Sequence, residues 1–195
     1  MRRFSLITII VTTIGCAGPN PNPGERTTDI AWTTENFDRA YEIAKPHAES
    51  GDPWAQLRIA IFYENGWGVK RDPKKAYEWY LKAVSQKSEG DWANGHLIGA
   101  MGKAGYFNQN SDALIAEYNL ANLIYRGDGI DKNLVKSYVH VSNVINESNG
   151  SSVFFCCEFA GGRSFSHNQF VEFKQKLESI MTQDQLSEAI KILNK

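Results

Sequence analysis

Cysteine is scarce in this chain: three residues in 195, with no CxxC spacing. That leaves zinc-ribbon and thioredoxin-like frameworks without support. Histidine is scarce as well. His47, His96, His140 and His167 are scattered, and none stands i,i+4 from another ligand type in a metal motif. Charge of one sign is missing too, with 21 Lys and Arg against 22 Asp and Glu. No basic field exists to draw nucleic acid. No run approaches the roughly 20 consecutive apolar residues that a membrane span needs. Tryptophan is confined to the first half, at Trp32, Trp54, Trp67, Trp79 and Trp92.

What is present is concentrated in residues 55–83. Ala55, Ile59, Phe62 and Tyr63 stand at i, i+4, i+7 and i+8, one helical face. Leu57, Ala60 and Ile61 add apolar groups on other sides, so this helix is expected to be covered on more than one face. Gly66 suits the left-handed position that ends a helix, and Gly68 keeps the turn open. Asp72 is a good N-cap, followed by Pro73 at the first helical position, where a missing N–H costs nothing. Ala76, Trp79, Tyr80, Ala83 and Val84 form the inward stripe of a second helix, with Trp79 and Trp54 read as core. The alanines let two helices approach closely. A helix pair this small cannot bury its apolar face alone, so it calls for stacked neighbours.

Residues 116–144 repeat this pattern at a shift of 116 − 55 = 61. Ala116, Leu120-Ala121, Gly127, Gly129 and Ile130 match Ala55, Ile59-Ala60, Gly66, Gly68 and Val69. Asn133 takes the cap position of Asp72, while His140 and Val141 replace Trp79 and Tyr80. His140 at that position predicts a buried, hydrogen-bonded histidine. Upstream, Phe37, Ala40, Tyr41, Ala44 and Ala48 mark a helix face starting near residue 33 or 34, which Pro46 should kink or shorten. Residues 91–103 read as the first helix of a degenerate repeat, interrupted at 104–110. Residues 153–160 read as a further first helix. Ser166 with Gln169 and Thr182 with Gln185 each form a capping box. They open helices whose inward stripes are Phe170, Phe173, Leu177 and Ile180, then Leu186, Ala189, Ile190 and Leu193.

The set Ala55, Ile59-Ala60, Tyr63, Gly66, Gly68-Val69, Asp72, Lys75-Ala76, Trp79-Tyr80 and Lys82-Ala83 resembles a Sel1-like repeat, a relative of the tetratricopeptide repeat. Ala60 departs from it, since the family often has Gly there. The resemblance implies an all-α solenoid of antiparallel helix pairs over residues 33–195, degenerate in the middle and closed by a C-terminal capping helix. It implies protein binding and no catalytic residues. An apolar share of 42%, slightly under that of a typical globular chain, suits an elongated array with a tether.

The N-terminus reads as an address. Arg2-Arg3 and the apolar, hydroxylic run over residues 4–14 form a signal peptide pattern over residues 1–15. Thr13-Ile14-Gly15-Cys16 resembles the lipobox of bacterial lipoproteins, with Thr13 a departure from the usual aliphatic residue. Plain secretion with cleavage nearby is the alternative. The lipobox resemblance implies lipidation (palmitate among the chains) of Cys16, and Ala17 behind it implies outer-membrane sorting toward the periplasm. Residues 16–32, rich in Pro, Asn and Gly, then form a disordered tether. Loss of the two leader arginines leaves a side-chain charge of 19 − 22 = −3.

Few residues invite a chemical role. Cys156-Cys157 is a conceivable vicinal disulfide, but adjacent helical side chains diverge, and two small buried residues are the better reading. A Cys157/His167 nucleophile pair lacks an orienting third group. Trp67, held between two turn glycines, is a partner-contact candidate, with a fold-back onto the next repeat as the alternative. Asn146-Glu147-Ser148 and Asn149-Gly150-Ser151 are glycosylation sequons only in a eukaryotic secretory setting. Three functions remain open: a lipid-anchored adaptor for a protein partner, a periplasmic immunity protein that neutralises a delivered toxic enzyme, and an envelope thiol enzyme using Cys156-Cys157. The first two need no cofactor, metal, nucleic acid or small-molecule substrate.

Overall fold

The computed structural model describes residues 28, 31, 34–86, 111–150, 153–154 and 164–194. Cys16, Trp32, Trp92, His96, Cys156 and Cys157 lie outside the described residues, as do residues 1–15, 91–103 and 104–110. Among the described residues the order is α1 (Phe37–Ser50), α2 (Pro53–Asn65), α3 (Pro73–Val84), α4 (Ser111–Arg126), α5 (Leu134–Ser148), β1 (Val153–Phe154), β2 (Ser164–Phe165), α6 (His167–Ile180) and α7 (Gln183–Leu193). The architecture is an all-α helical-repeat solenoid, with one short two-stranded ladder.

The helices begin where their caps dictate. Asn36, Asp72 and Asn133 each accept a hydrogen bond from the backbone N–H three residues on, satisfying a donor the helix itself cannot. Reciprocal capping boxes open α6 at Ser166 and Gln169, and α7 at Thr182 and Gln185. Pro46 does not shorten α1, which runs four residues further and ends at Gly51 in the left-handed region. Order also begins earlier than residue 33: Thr28 and Ala31 are already helical and buried.

Ala40, Ala44 and Ala48 lie on one face of α1, fully buried or nearly so, and seat it close against α2. From α2, Ala55, Ile59 and Phe62 face that layer, while Leu57 and Ala60 face the opposite one with Ala76, Tyr80 and Ala83 of α3. So α2 is covered on both sides, as its apolar content predicts. Fully burying one such large apolar side chain contributes about 1.5–3 kcal/mol. The larger core then runs on through Leu114, Leu120, Val141 and Val144 of α4 and α5 to Phe170, Leu177 and Ala189.

Cap spacing exposes an irregularity. From Asn36 to Asp72 is 36 residues, but from Asp72 to Asn133 is 61, an excess of 25. Yet α3 packs directly on α4, and α2 also touches α4. The helices before and after the seam therefore meet directly.

Three further expectations are corrected. Val153-Phe154 does not open a helix: it pairs antiparallel with Ser164-Phe165, Val153 opposite Phe165, and buries Val153 in the core. Ile180 is 47% exposed and Ile190 49% exposed. Helices α6 and α7 both pack on α5, and Phe170 and Phe173 of α6 also meet Tyr118 and Tyr125 of α4, which leaves the outer sides of both helices exposed. Met181 takes the buried place after α6, and Ala189 marks the close approach of α7, which turns Ile190 about 100° away.

The second glycine of each turn sets the stacking distance. Gly68 has φ +65, and a Cβ there would lie 2.5 Å from the Phe37 carbonyl oxygen, at the start of α1. Gly129 has φ +68, and its Cβ would lie 3.0 Å from Pro73 Cβ, at the start of α3. Each turn thus rests on the first residue of the second helix of the preceding repeat. Gly68→Ala is expected to cost about 2–3 kcal/mol, combining left-handed strain with a backbone clash, whereas Gly51→Ala, in open space, costs about 1 kcal/mol. Urea unfolding of the two variants checks the order; equal losses would contradict it.

Candidate partner-binding surface

The turns of the solenoid line up along one edge, and the two seams of that edge are closed by different chemistry. At the first seam the groups are aromatic. Trp67 is half-buried and stacks on Phe37 of α1, ring centroids 5.0 Å apart and planes 16° from parallel. Beside them the hydroxyls of Tyr41 and Tyr63 meet at 2.9 Å, their rings nearly perpendicular. Lys75 Nζ lies 5.2 Å from the Tyr63 ring centroid. Trp67 therefore folds onto the preceding helix rather than the next repeat, and keeps part of its ring accessible. Rigid rings make contact area at little conformational cost.

At the second seam the groups are charged. The counterpart of Trp67 is Asp128 (67 + 61), and it pairs with Arg71 of the preceding turn. Arg126 pairs with Glu64, whose other oxygen accepts a hydrogen bond from Tyr80 at 2.5 Å. Exposed ion pairs of this kind contribute about 0–1 kcal/mol each. Tyr80 is the inward end of the network. Burial raises its phenol well above the ordinary value of 10.0, with the Glu64 charge and hydrogen bond adding to it. Tyr41 is raised by burial and by its bond to Tyr63, and Tyr138 by burial and by Glu178.

Inside the repeats, polar positions correspond across the two copies. Gln86 donates to Gln56 at 2.7 Å in the first. In the second the Gln56 position is Glu117 (56 + 61), only 1% exposed. One of its oxygens lies 3.0 Å from His140 Nδ1 and accepts from Asn143 at 3.2 Å. His140 is thus hydrogen-bonded as expected, but half-buried. Glu117 was not singled out from sequence; the copy register pairs it with Gln56, and that was the available signal. Glu64 and Arg126 were equally unmarked, because their partners lie 62 residues apart.

Other candidates are structural. Trp54 is buried as expected, whereas Trp79 is only half-buried, with Lys82 Nζ 3.7 Å from its ring centroid. His47 meets Asp52 at 3.1 Å. His167 Nδ1 lies 3.3 Å from the hydroxyl of buried Ser148. Among the described residues no group of three His, Cys, Asp or Glu side chains is placed to hold a metal ion. No described helix is long and apolar enough to cross a membrane.

Comparison with known proteins agrees with this geometry. The Sel1 repeat family model matches residues 55–88 and 114–140, the two helix pairs α2–α3 and α4–α5. A crystal structure of a protective antigen from uropathogenic Escherichia coli strains, displaying an SLR fold, superposes with a TM-score of 0.60 at 20% identity. The match covers 87% of this chain and 28% of that one, so the chain spans little more than a quarter of its neighbour's length. A Sel1 repeat protein from Oxalobacter formigenes matches at a TM-score of 0.46 and 22% identity, over 63% of this chain and 40% of that one. None of the curated proteins matches the sequence. The fold is that of a helical-repeat scaffold. The helix pairs α2–α3 and α4–α5 are the parts that resemble Sel1 repeats.

The tyrosines give a pH test. A phenol whose folded value is raised stabilises the fold fully below the unfolded value of 10.0, and that contribution is lost as pH climbs above it. Urea midpoints are expected to stay level with respect to these groups up to about pH 10 and to fall beyond it, less steeply in Tyr80→Phe. Phenolate absorbance showing every tyrosine titrating at its ordinary value in the folded chain would contradict this.

Proposed function

We propose that the protein is a non-catalytic adaptor. It binds a protein partner along its turn edge, with Trp67, Phe37 and Tyr63 as the contact ledge, and is held in the bacterial cell envelope by lipid on Cys16. The observation that carries the binding surface is the half-buried Trp67 ring, stacked on Phe37 beside Tyr63 at the first seam. Sel1 repeats commonly serve as protein-interaction modules, and these two supply the scaffold. The lipid address rests on the residue pattern around Cys16, whose resemblance to a lipobox implies the outer membrane facing the periplasm.

The test is capture of partners from envelope extract by the wild-type chain, by Trp67→Ala and by a variant with Cys156 and Cys157 both replaced by Ala. Dichroism first confirms that each variant is folded. Trp67→Ala is expected to lower recovery of a shared partner about tenfold or more, the scale of an aromatic anchor. The cysteine variant is expected to leave recovery unchanged. Equal recovery with Trp67→Ala removes the ledge from the account, and loss with the cysteine variant favours thiol chemistry. The mass of the mature N-terminus tests the address separately: an acylated Cys16 is expected, and any other first residue would remove the anchor.

A further inference from the structure

The described residues contain two Asn-Gly dipeptides, Asn65-Gly66 and Asn149-Gly150, each at a helix C-terminus with the Asn exposed. In sequence they are equivalent. In structure they are not. Asn65 lies inside α2, and its side-chain amide donates to the Ile61 carbonyl at 2.9 Å. The Gly66 N–H donates to the Phe62 carbonyl at 2.8 Å, and Gly66 is packed against Arg71. Both reacting groups of that dipeptide are engaged.

Asn149 stands outside α5, in the left-handed region at φ 46, which Asn enters more readily than other side chains do. Its own N–H donates to the Asn146 carbonyl, but among the described residues nothing binds its side-chain amide or the Gly150 N–H. No atom lies within 4 Å of where a Gly150 Cβ would be, so the peptide unit between them has room to turn.

We propose that Asn149 is a site of spontaneous deamidation in the folded protein, and that Asn65 is protected by the fold. The backbone nitrogen of Gly150 attacks the side-chain carbonyl carbon of Asn149. A C–N bond closes a five-membered succinimide. The side-chain nitrogen takes the proton given up by the Gly150 amide and leaves as ammonia. Water then opens either carbonyl of the ring, giving aspartate or isoaspartate. Rotation about the Asn149 backbone must precede the attack, and no hydrogen bond at Gly150 opposes it. At Asn65 two hydrogen bonds must break first.

The product has a structural consequence. A new carboxylate at the end of α5 faces the negative pole of that helix, which disfavours it. The preceding residue, Ser148, is hydrogen-bonded to His167 at the start of α6, so loosening the last turn of α5 weakens the join between these helices.

Peptide mapping of the full-length chain, aged in mildly alkaline buffer, reads the amide-to-acid mass shift at both sites. A parallel arm ages the chain unfolded in urea, and Asn149→Gln assigns the 149 product. In the folded chain Asn149 is expected to convert roughly tenfold or more faster than Asn65, the scale of two intramolecular hydrogen bonds at about fivefold each. In urea the two rates are expected to converge. Conversion of Asn149 no faster than Asn65 in the folded chain overturns the proposal. So does a folded-state ratio that survives unchanged in urea, since flanking sequence rather than the fold would then set it.

Discussion

A methyl group on Gly68 would sit 2.5 Å from a backbone oxygen at the head of α1, closer than any side chain tolerates. That close approach is the constraint from which the rest of the stack follows. It fixes how far each turn sits from the preceding second helix, and Gly129 against Pro73 repeats it one layer on. With that spacing set, Ala40, Ala44, Ala76 and Ala83 are the side chains small enough for the facing helices, and Leu57, Phe62, Tyr80 and Leu120 fill what remains. The position just before the second glycine then reaches back to the previous layer in both copies, as Trp67 to Phe37 and as Asp128 to Arg71.

One scaffold thus carries two edges of unlike character. The aromatic seam is insensitive to salt. The charged seam is tied through Glu64 to a buried phenol and is weakened by screening. The buried Glu117, bonded to His140 and Asn143, stands where the first copy keeps a neutral Gln56.

Local chemistry was legible in the sequence. The caps at Asp72 and Asn133, the left-handed turn glycines and the two capping boxes are each decided within a few residues, and each is found. The two-sided burial of α2 was legible because its apolar residues fill more than one face. What depended on distant chain was not. The direct contact of α3 with α4 leaves no local trace in the sequence. Ile190 and Ala189 differ by one helical step, and only the position of α5 decides which turns inward. At Val153 a short apolar run cannot distinguish helix from strand, and its partner strand begins eleven residues later. For the surface, Trp67 was noticed because tryptophan between glycines is unusual, but its stacking partner belongs to another layer. Glu64, Arg126 and Glu117 carried no local mark at all.

The central claim is that the two Sel1-like repeats are adjacent layers despite the excess chain between them. The most direct measurement is the distance between spin labels placed at Lys74 and Asp131, both exposed, on either side of the contact between Pro73 and Gly129. Direct stacking predicts a single short separation, unchanged between dilute and concentrated protein. A distribution centred about 20 Å longer, the thickness of two interposed helix layers, would contradict it.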